Sequence, residues 1–186
     1  MIKEVVPTRI PGCLRLRLDL RADLRGAFVK SFHEPVFKAH GLATNFCEEY
    51  YSLSKHGVVR GMHFQVPPAD LVKTVCCATG RVLDVVVDLR VGSPTYGQHE
   101  AFILDAAAPE IVYIPAGLAH GFLVLSTESL MLYQVTHDYA PKSDSGIRWD
   151  SCGIAWGVTN PVVSERDDAL PRLADFASPF RYSGQS

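Results

Sequence analysis

The sequence predicts an all-β protein, a sandwich or barrel, in a single domain that spans residues 1–186. The chain is 47% hydrophobic and 20% charged, which is the composition of an ordinary folded domain. Its apolar runs are short, rich in β-branched residues, and bounded by glycine or proline, whereas stretches with a helical period are scarce. Because no shift in composition marks a linker, the length favours one domain.

Four runs between residues 82 and 136 predict strands. Each is apolar or β-branched and ends at a turn signal of Gly, Pro, Ser or Thr. They cover residues 82–89, 111–114, 121–125 and 130–136. A mixed tail follows from about residue 160, and within it residues 165–176 predict one short helix.

Charge and cysteine usage restrict the partners and the compartment. The formal net charge is −2, whereas proteins that bind nucleic acid usually carry a basic surplus, so we expect no nucleic-acid partner. No apolar run approaches the roughly 20 residues that span a bilayer, and the N-terminus has no signal-peptide core. The five cysteines form no CxxC pair, and we expect all five to be buried free thiols. The sequence therefore predicts a cytoplasmic protein with no membrane partner.

Two histidines occupy unusual settings. His63 follows the segment Arg60-Gly61-Met62, and His120 ends a Pro-x-Gly-x-x-His turn of the kind that leads into a strand in cupin-type barrels. Metal-binding cupins usually carry a His-x-His pair and a later Glu, but here His63 is followed by Phe and Gln. Two histidines do not complete a 2-His-1-carboxylate set, so we expect no metal.

A metal-free cavity that holds His, Lys, Arg and Tyr suits proton abstraction next to a carbonyl group. Imidazole is a base near neutral pH, and a carboxylate can fix its tautomer. Lysine or arginine can stabilise an oxyanion or hold phosphate, and tyrosine can deliver a proton from another side. The residue types alone do not choose the substrate, and a metal-dependent oxygenase or a non-catalytic binding protein remain alternatives.

The order and spacing of the motifs from about residue 20 to residue 170 resemble the dTDP-4-dehydrorhamnose 3,5-epimerase family. The matching motifs are residues 57–65, Lys73, 84–90, 92–97, 114–122, Tyr133, 146–150, 154–156 and 164–167. This resemblance implies a cupin jelly roll with a short C-terminal helical segment, acting as a homodimer without a cofactor. The implied substrate is a nucleotide-linked 4-keto-6-deoxyhexose, inverted at C3, C5 or both through an enolate.

The resemblance also implies a role for each matching residue. His63 would be the base, Asp167 its carboxylate partner, and Tyr133 the acid on the opposite side. Lys73 would stabilise the enolate oxygen. Arg60 and His120 would position the sugar and the diphosphate, and Tyr139 would line the sugar pocket. Asp84 belongs to the motifs but stays outside the catalytic set, because an inward aspartate on a strand can serve a structural network.

Two segments match the family's nucleotide-binding positions incompletely. Residues 23–28 keep the Asp-x-Arg-Gly-x-Phe pattern, through which Arg25 and Phe28 would bind the nucleotide across the dimer. Lys30 then stands where the family usually has Glu, and residues 48–50, Glu-Glu-Tyr, replace its Gln-Asp-Asn. Lys30 and Glu48 would either rebuild an ion pair in swapped order or select another base, such as cytosine or guanine. A 3-epimerase, or an enzyme for CDP- or GDP-linked sugars, therefore remains an alternative.

Overall fold

The computed structural model describes residues 1–184, and strands dominate it. Two short helices interrupt the strands, and a 3₁₀ turn at Leu173–Asp175 follows them. The helices are α1 (Glu34–Ala39) and α2 (Glu165–Asp168). The strands are β1 (Ile2–Pro7), β2 (Leu14–Leu18), β3 (Leu20–Asp23), β4 (Gly26–Val29), β5 (Glu48–Lys55), β6 (Val59–Gln65), β7 (Lys73–Thr79), β8 (Arg81–Asp88), β9 (His99–Asp105), β10 (Glu110–Ile114), β11 (Leu118–Val124), β12 (Glu128–Val135) and β13 (Asp144–Gly146).

Two antiparallel sheets form the body of the molecule. The six-stranded sheet has the order β1-β2-β10-β7-β12-β5, and the five-stranded sheet has the order β13-β6-β11-β8-β9. The strands alternate between the sheets along much of the chain, as the connections of a jelly roll require. Strands β3 and β4 form a separate hairpin. Thus β5 is an edge of one sheet, while β6 lies inside the other.

Alternation of side chains along the strands creates a core between the two sheets. On β11, for example, Leu118, Phe122 and Val124 contribute to this core, and Val75 and Met131 reach it from the other sheet. Polar side chains of the same parity continue the inner faces toward one end of the sandwich, where they border a cavity. The polar cavity residues therefore lie on the same inner strand faces as the apolar core, at its end.

The outer face of each sheet is also covered. Helix α1 places Phe37 over the six-stranded sheet, where it contacts a cluster of aromatic rings. The C-terminal segment brings Trp156 and Phe180 against the five-stranded sheet. Adjacent Cys76 and Cys77 on β7 point to opposite faces, and both are buried because both faces are covered. The six-residue α1 escaped prediction because it is too short to show a helical period.

The structure confirms the all-β prediction and corrects several details. Strand β11 begins three residues before the predicted start at Gly121, because that glycine lies inside the strand rather than at a turn. The short helix predicted within residues 165–176 is confirmed as α2, and Pro171 separates it from the 3₁₀ turn. Cys47 is exposed, so the expectation that all five cysteines are buried is wrong for this one. Within residues 1–184, no helix is long and apolar enough to cross a membrane.

Candidate active site

A cavity of about 370 Å³ opens between the two sheets at one end of the sandwich. This volume suits a small-molecule ligand. Strands of both sheets line it, so its opposite walls carry different functional groups. The predicted site residues that line this cavity are Glu48, Arg60, His63, Lys73, His120, Tyr133 and Tyr139.

His63 and Asp167 form the hydrogen-bonded pair that the resemblance implies. The His63 Nε2–H donates to Asp167 Oδ1 at 2.7 Å, and the second carboxylate oxygen accepts the N–H of Gly61 at 3.2 Å. Burial by itself raises the pKa of the Asp167 carboxyl, but the hydrogen bond and charge of His63 outweigh this and lower it. Because Nε2 of His63 carries the proton that is hydrogen-bonded to Asp167, Nδ1 is the ring nitrogen that can accept a proton.

The hydroxyl of Ser164 fixes the position of Asp167. It accepts the N–H of Asp167 at 3.1 Å and caps the first turn of α2. Asp167 is only 3% exposed, which leaves the carboxylate in the low-dielectric interior beneath His63. The short helix therefore serves chiefly to bring one carboxylate to the five-stranded sheet.

A bulge in β6 places both Arg60 and His63 in the cavity. Simple alternation would put residues three apart on opposite faces of a strand. The register against β11 shifts, so that His120 lies opposite His63 whereas Phe122 lies opposite Arg60. The extra residue on β6 brings both side chains to the inner face. The Arg60 Nε–H donates to Ser54 Oγ at 2.9 Å, and its terminal Nη2 donates to the carbonyl of Leu53 at 3.5 Å.

A second histidine–aspartate pair lies on the same sheet. The His120 Nε2–H donates to Asp84 Oδ2 at 2.7 Å, and both side chains are buried. Burial lowers the pKa of His120 despite the opposing effect of Asp84. Among residues 1–184 the other oxygen of Asp84 has no hydrogen-bond partner. Asp84 therefore belongs to the site, whereas Asp88, from the same motif, holds Arg90 and Ser93 in a structural network.

Lys73 and Tyr133 occupy the opposite wall, on neighbouring strands of the six-stranded sheet. Burial lowers the pKa of Lys73 to about 8, although Asp84 and Asp144 favour its charged form. Burial raises the pKa of Tyr133, so its phenol stays protonated over the physiological range. The wall that faces His63 therefore presents an ammonium group and a neutral phenol.

Polar residues from three separate segments meet at the mouth of the cavity. The backbone N–H of Tyr139 donates to Glu48 at 2.8 Å, and its hydroxyl donates to Asp144 at 3.3 Å. Arg166 donates to the same carboxylate oxygen of Asp144 at 2.6 Å. These contacts tie α2 to β13 and to the loop after β12.

Three predicted nucleotide-binding residues lie elsewhere. Arg25, Phe28 and Lys30 belong to the β3–β4 hairpin and the residue after it, and none of them lines the cavity. Arg25 pairs with Asp23 inside the hairpin, and Phe28 is 62% exposed. Within one chain the structure therefore does not bring these residues to the site.

Other cavity residues were missed at the sequence level. The alternation on β5 could have indicated Tyr50 and Ser52, because they share a face with the predicted Glu48. Asp144 and Arg166 gave no such signal, since their meeting depends on the pairing of β13 with β6 and on the position of α2. No group of three His, Cys, Asp or Glu side chains in residues 1–184 is placed to hold a metal ion.

A jelly-roll sandwich whose cavity carries a His–Asp pair opposite a lysine and a tyrosine defines a cupin-like protein equipped for acid–base chemistry. The profile of one family, dTDP-4-dehydrorhamnose 3,5-epimerase, matches residues 7–175. The chain belongs to this family, which confirms the resemblance carried by its motifs.

Individual relatives agree with this assignment. The dTDP-4-dehydrorhamnose 3,5-epimerase of Shigella flexneri is 39% identical over 167 residues, which are 88% of this chain and 92% of the relative. A dTDP-4-dehydrorhamnose 3-epimerase of Streptomyces niveus is 39% identical over 172 residues, which are 91% of this chain and 83% of the relative. The crystal structure of a dTDP-6-deoxy-D-glucose-3,5-epimerase from Legionella pneumophila, in complex with dTDP-4-keto-L-rhamnose, superimposes with a TM-score of 0.92 at 32% identity. The superposition covers 97% of this chain and 99% of the Legionella pneumophila chain.

Proposed function

We propose that this protein is an isomerase that inverts C3, C5 or both in a dTDP-linked 4-keto-6-deoxyhexose. The observation that carries the proposal is the placement of His63 and Tyr133 on opposite sheets across one cavity. Inversion of a carbon next to a ketone needs a base on one face and an acid on the other. His63 and Tyr133 are suitably placed for these two roles, and the family relationship supports the choice of substrate class.

The proposed reaction begins with proton abstraction. Nδ1 of His63 takes the proton from the carbon next to the C4 ketone, and Asp167 stabilises the imidazolium that results. The C–H electron pair moves into the C–C bond to form an enolate, whose oxygen gains negative charge. The ammonium of Lys73 stabilises that oxygen, since a positive charge acts strongly in a partly desolvated cavity.

The second step returns a proton to the opposite face of the same carbon. The Tyr133 hydroxyl donates this proton as the enolate electrons reform the C–H bond and the ketone. His63 then releases its proton to solvent, and Tyr133 regains one. Arg60 and His120 on the inner face of the five-stranded sheet hold the diphosphate and the sugar, and Tyr139 lines the sugar end at the mouth.

We also propose that the active unit is a cytoplasmic homodimer. The β3–β4 hairpin leaves Leu24 fully exposed, Phe28 62% exposed and Leu20 37% exposed. A second copy would cover them and would bring Arg25, Phe28 and Lys30 to the nucleotide end of the partner's cavity. Light scattering with chromatography tests this, and a monomer at micromolar concentration contradicts it.

The decisive experiment is proton NMR of the protein with nucleotide-linked 4-keto-6-deoxy sugars in D₂O. We expect loss of the C3 signal, the C5 signal or both, accompanied by altered coupling constants in the ring. Exchange at C3 alone would favour the 3-epimerase activity that the Streptomyces niveus relative bears in its name. Binding without exchange of either proton would favour a non-catalytic sugar-nucleotide-binding protein, and comparison of thymidine, cytidine and guanosine derivatives identifies the base.

A further inference from the structure

The ring of Tyr133 rests on a second tyrosine from the neighbouring strand. In the antiparallel pairing of β5 with β12, Tyr50 lies directly opposite Tyr133. The two rings are stacked, with centroids 4.7 Å apart and planes 13° from parallel. A cross-strand aromatic pair of this kind contributes energy beyond the burial of its surface and restricts both rings.

The hydroxyl of Tyr133 is also held from β5. It lies 3.3 Å from the hydroxyl of Ser52, two residues after Tyr50 and on the same face of the strand. On a third side, the ring of His120 meets Tyr133 edge to face at a centroid distance of 6.2 Å. The direction in which the phenol points is therefore defined by its neighbours.

Two side chains of β5 thus hold Tyr133, since Tyr50 stacks on its ring and Ser52 contacts its hydroxyl. Neither side chain carries a charge that the proposed chemistry needs. Their contribution to the reaction would act through Tyr133.

We propose that Tyr50 and Ser52 are positioning residues that aim the Tyr133 hydroxyl at the enolate face opposite His63. The inference rests on the proposed epimerase function and adds to it the residues that decide whether exchange leads to inversion. Without the stack, the phenol can swing away, and water or the imidazolium of His63 returns the proton to the original face. Tyr50 and Ser52 therefore govern the number of inversions for each proton exchanged, at C3 and C5 separately.

The test compares Tyr50→Ala and Ser52→Ala with the unchanged protein by NMR in D₂O, using a dTDP-linked 4-keto-6-deoxyhexose. Deuterium exchange and inversion are measured at each carbon in the same sample. We expect Tyr50→Ala to lower the ratio of inversion to exchange at least tenfold, and Ser52→Ala to lower it about threefold or more. Tyr50→Phe keeps the ring, so it should restore the ratio to within about twofold.

Two further variants separate positioning from structural damage. Tyr51→Ala removes the adjacent tyrosine, which is 67% exposed on the other face of β5, and should leave the ratio unchanged. In a Tyr133→Phe background, Tyr50→Ala should cause no further fall in the ratio, because both changes act through one hydroxyl. Circular dichroism and thermal unfolding establish that each variant is folded.

The outcomes distinguish this inference from the proposed function. If the unchanged protein exchanges neither C3 nor C5, the epimerase function is wrong and the inference falls with it. If the unchanged protein is active and folded Tyr50→Ala keeps its ratio of inversion to exchange, the positioning role alone is wrong. A variant that loses exchange and inversion in equal proportion also overturns the role, since it shows a general loss of binding or structure. If Tyr50→Ala does not fold, an unchanged ratio in Ser52→Ala overturns the inference.

Discussion

The chemistry of the cavity depends on a few side chains whose protonation their surroundings control. Asp167 stays ionised because His63 and the Gly61 N–H stabilise its charge, even though it is nearly buried. Burial keeps Tyr133 protonated and brings the pKa of Lys73 to about 8. The surroundings thus give the cavity an ionised carboxylate, a protonated phenol and an amine whose pKa is about 8.

His63→Ala should abolish exchange of substrate protons with solvent while the protein stays folded. Loss of a general base typically lowers the rate by about 10²–10⁴-fold. The measurement is deuterium incorporation by NMR. His56→Ala is a matched control, since His56 is exposed, does not line the cavity, and its ring is hydrogen-bonded to the carbonyl groups of Leu125 and Ser126. Exchange near the original rate in His63→Ala would exclude this histidine as the base.

Tyr133→Phe should separate exchange from inversion. Proton abstraction needs His63 and Lys73, whereas return of the proton to the other face needs the phenol. The ring remains, and loss of one hydrogen bond costs about 1 kcal/mol of stability. We expect deuterium to enter at C3 or C5 but mainly with retention, with the ratio measured from proton signals and coupling constants. If exchange and inversion fall together, Tyr133 is not the opposing acid.

The rate should fall as the pH rises through about 8. Lys73 carries its charge below its pKa of about 8 and loses it above, so enolate stabilisation disappears on the alkaline side. The profile of kcat/KM against pH measures this. Lys73→Arg keeps a charge to much higher pH and should move the alkaline limb upward, whatever its effect on the maximal rate. An alkaline limb that stays at the same pH in this variant would assign it to another group.

Among the elements, β6 matters most because its irregularity creates the site. The bulge around Gly61 turns Arg60 and His63 to one face and directs the Gly61 N–H at Asp167. A β-carbon built on Gly61 would lie 2.6 Å from the backbone of Gly121 on β11. Both glycines are therefore needed where the two strands approach each other closely.

Gly61→Ala should destabilise the protein far more than Gly41→Ala. Both glycines have a positive φ, but a β-carbon on Gly41 meets no atom within 4 Å. We expect a cost of about 1–2 kcal/mol for Gly41→Ala from the backbone conformation. Gly61→Ala adds about 1–3 kcal/mol of overpacking against immobile backbone. Urea unfolding compares the two, and equal losses would contradict the close approach of β6 and β11.

At the scale of the whole molecule, the two sheets carry the proposed catalytic groups on opposite walls of the cavity. The five-stranded sheet carries His63 and His120, paired with Asp167 of α2 and Asp84 of β8, and the six-stranded sheet carries Lys73 and Tyr133. In the proposed reaction, a substrate between the sheets would meet the base on one side and the acid on the other. The hairpin with Lys30 lies outside this arrangement in one chain, so its proposed part in binding needs the second copy.

Lys30→Glu should change the preference among sugar nucleotides more than the turnover of the sugar. The substitution reverses the charge at a position on the proposed nucleotide-binding arm. Steady-state kinetics with thymidine, cytidine and guanosine derivatives measure the preference, and Lys3→Glu makes the same charge change on exposed β1. Equal losses for all three nucleotides would show that Lys30 does not discriminate among bases.

The sequence by itself determined the all-β class, the family and seven of the residues that line the cavity, because strand composition, turns and motif order can be read directly from the chain. Its motifs indicated His63, Asp167, Lys73 and Tyr133 together. The tertiary structure decided which groups meet and how they are held. The bulge that turns Arg60 inward, the pairing of His120 with Asp84 and the stack of Tyr50 on Tyr133 all depend on strand register. Register is set by packing among strands that are distant in the chain, so no local pattern could reveal these contacts.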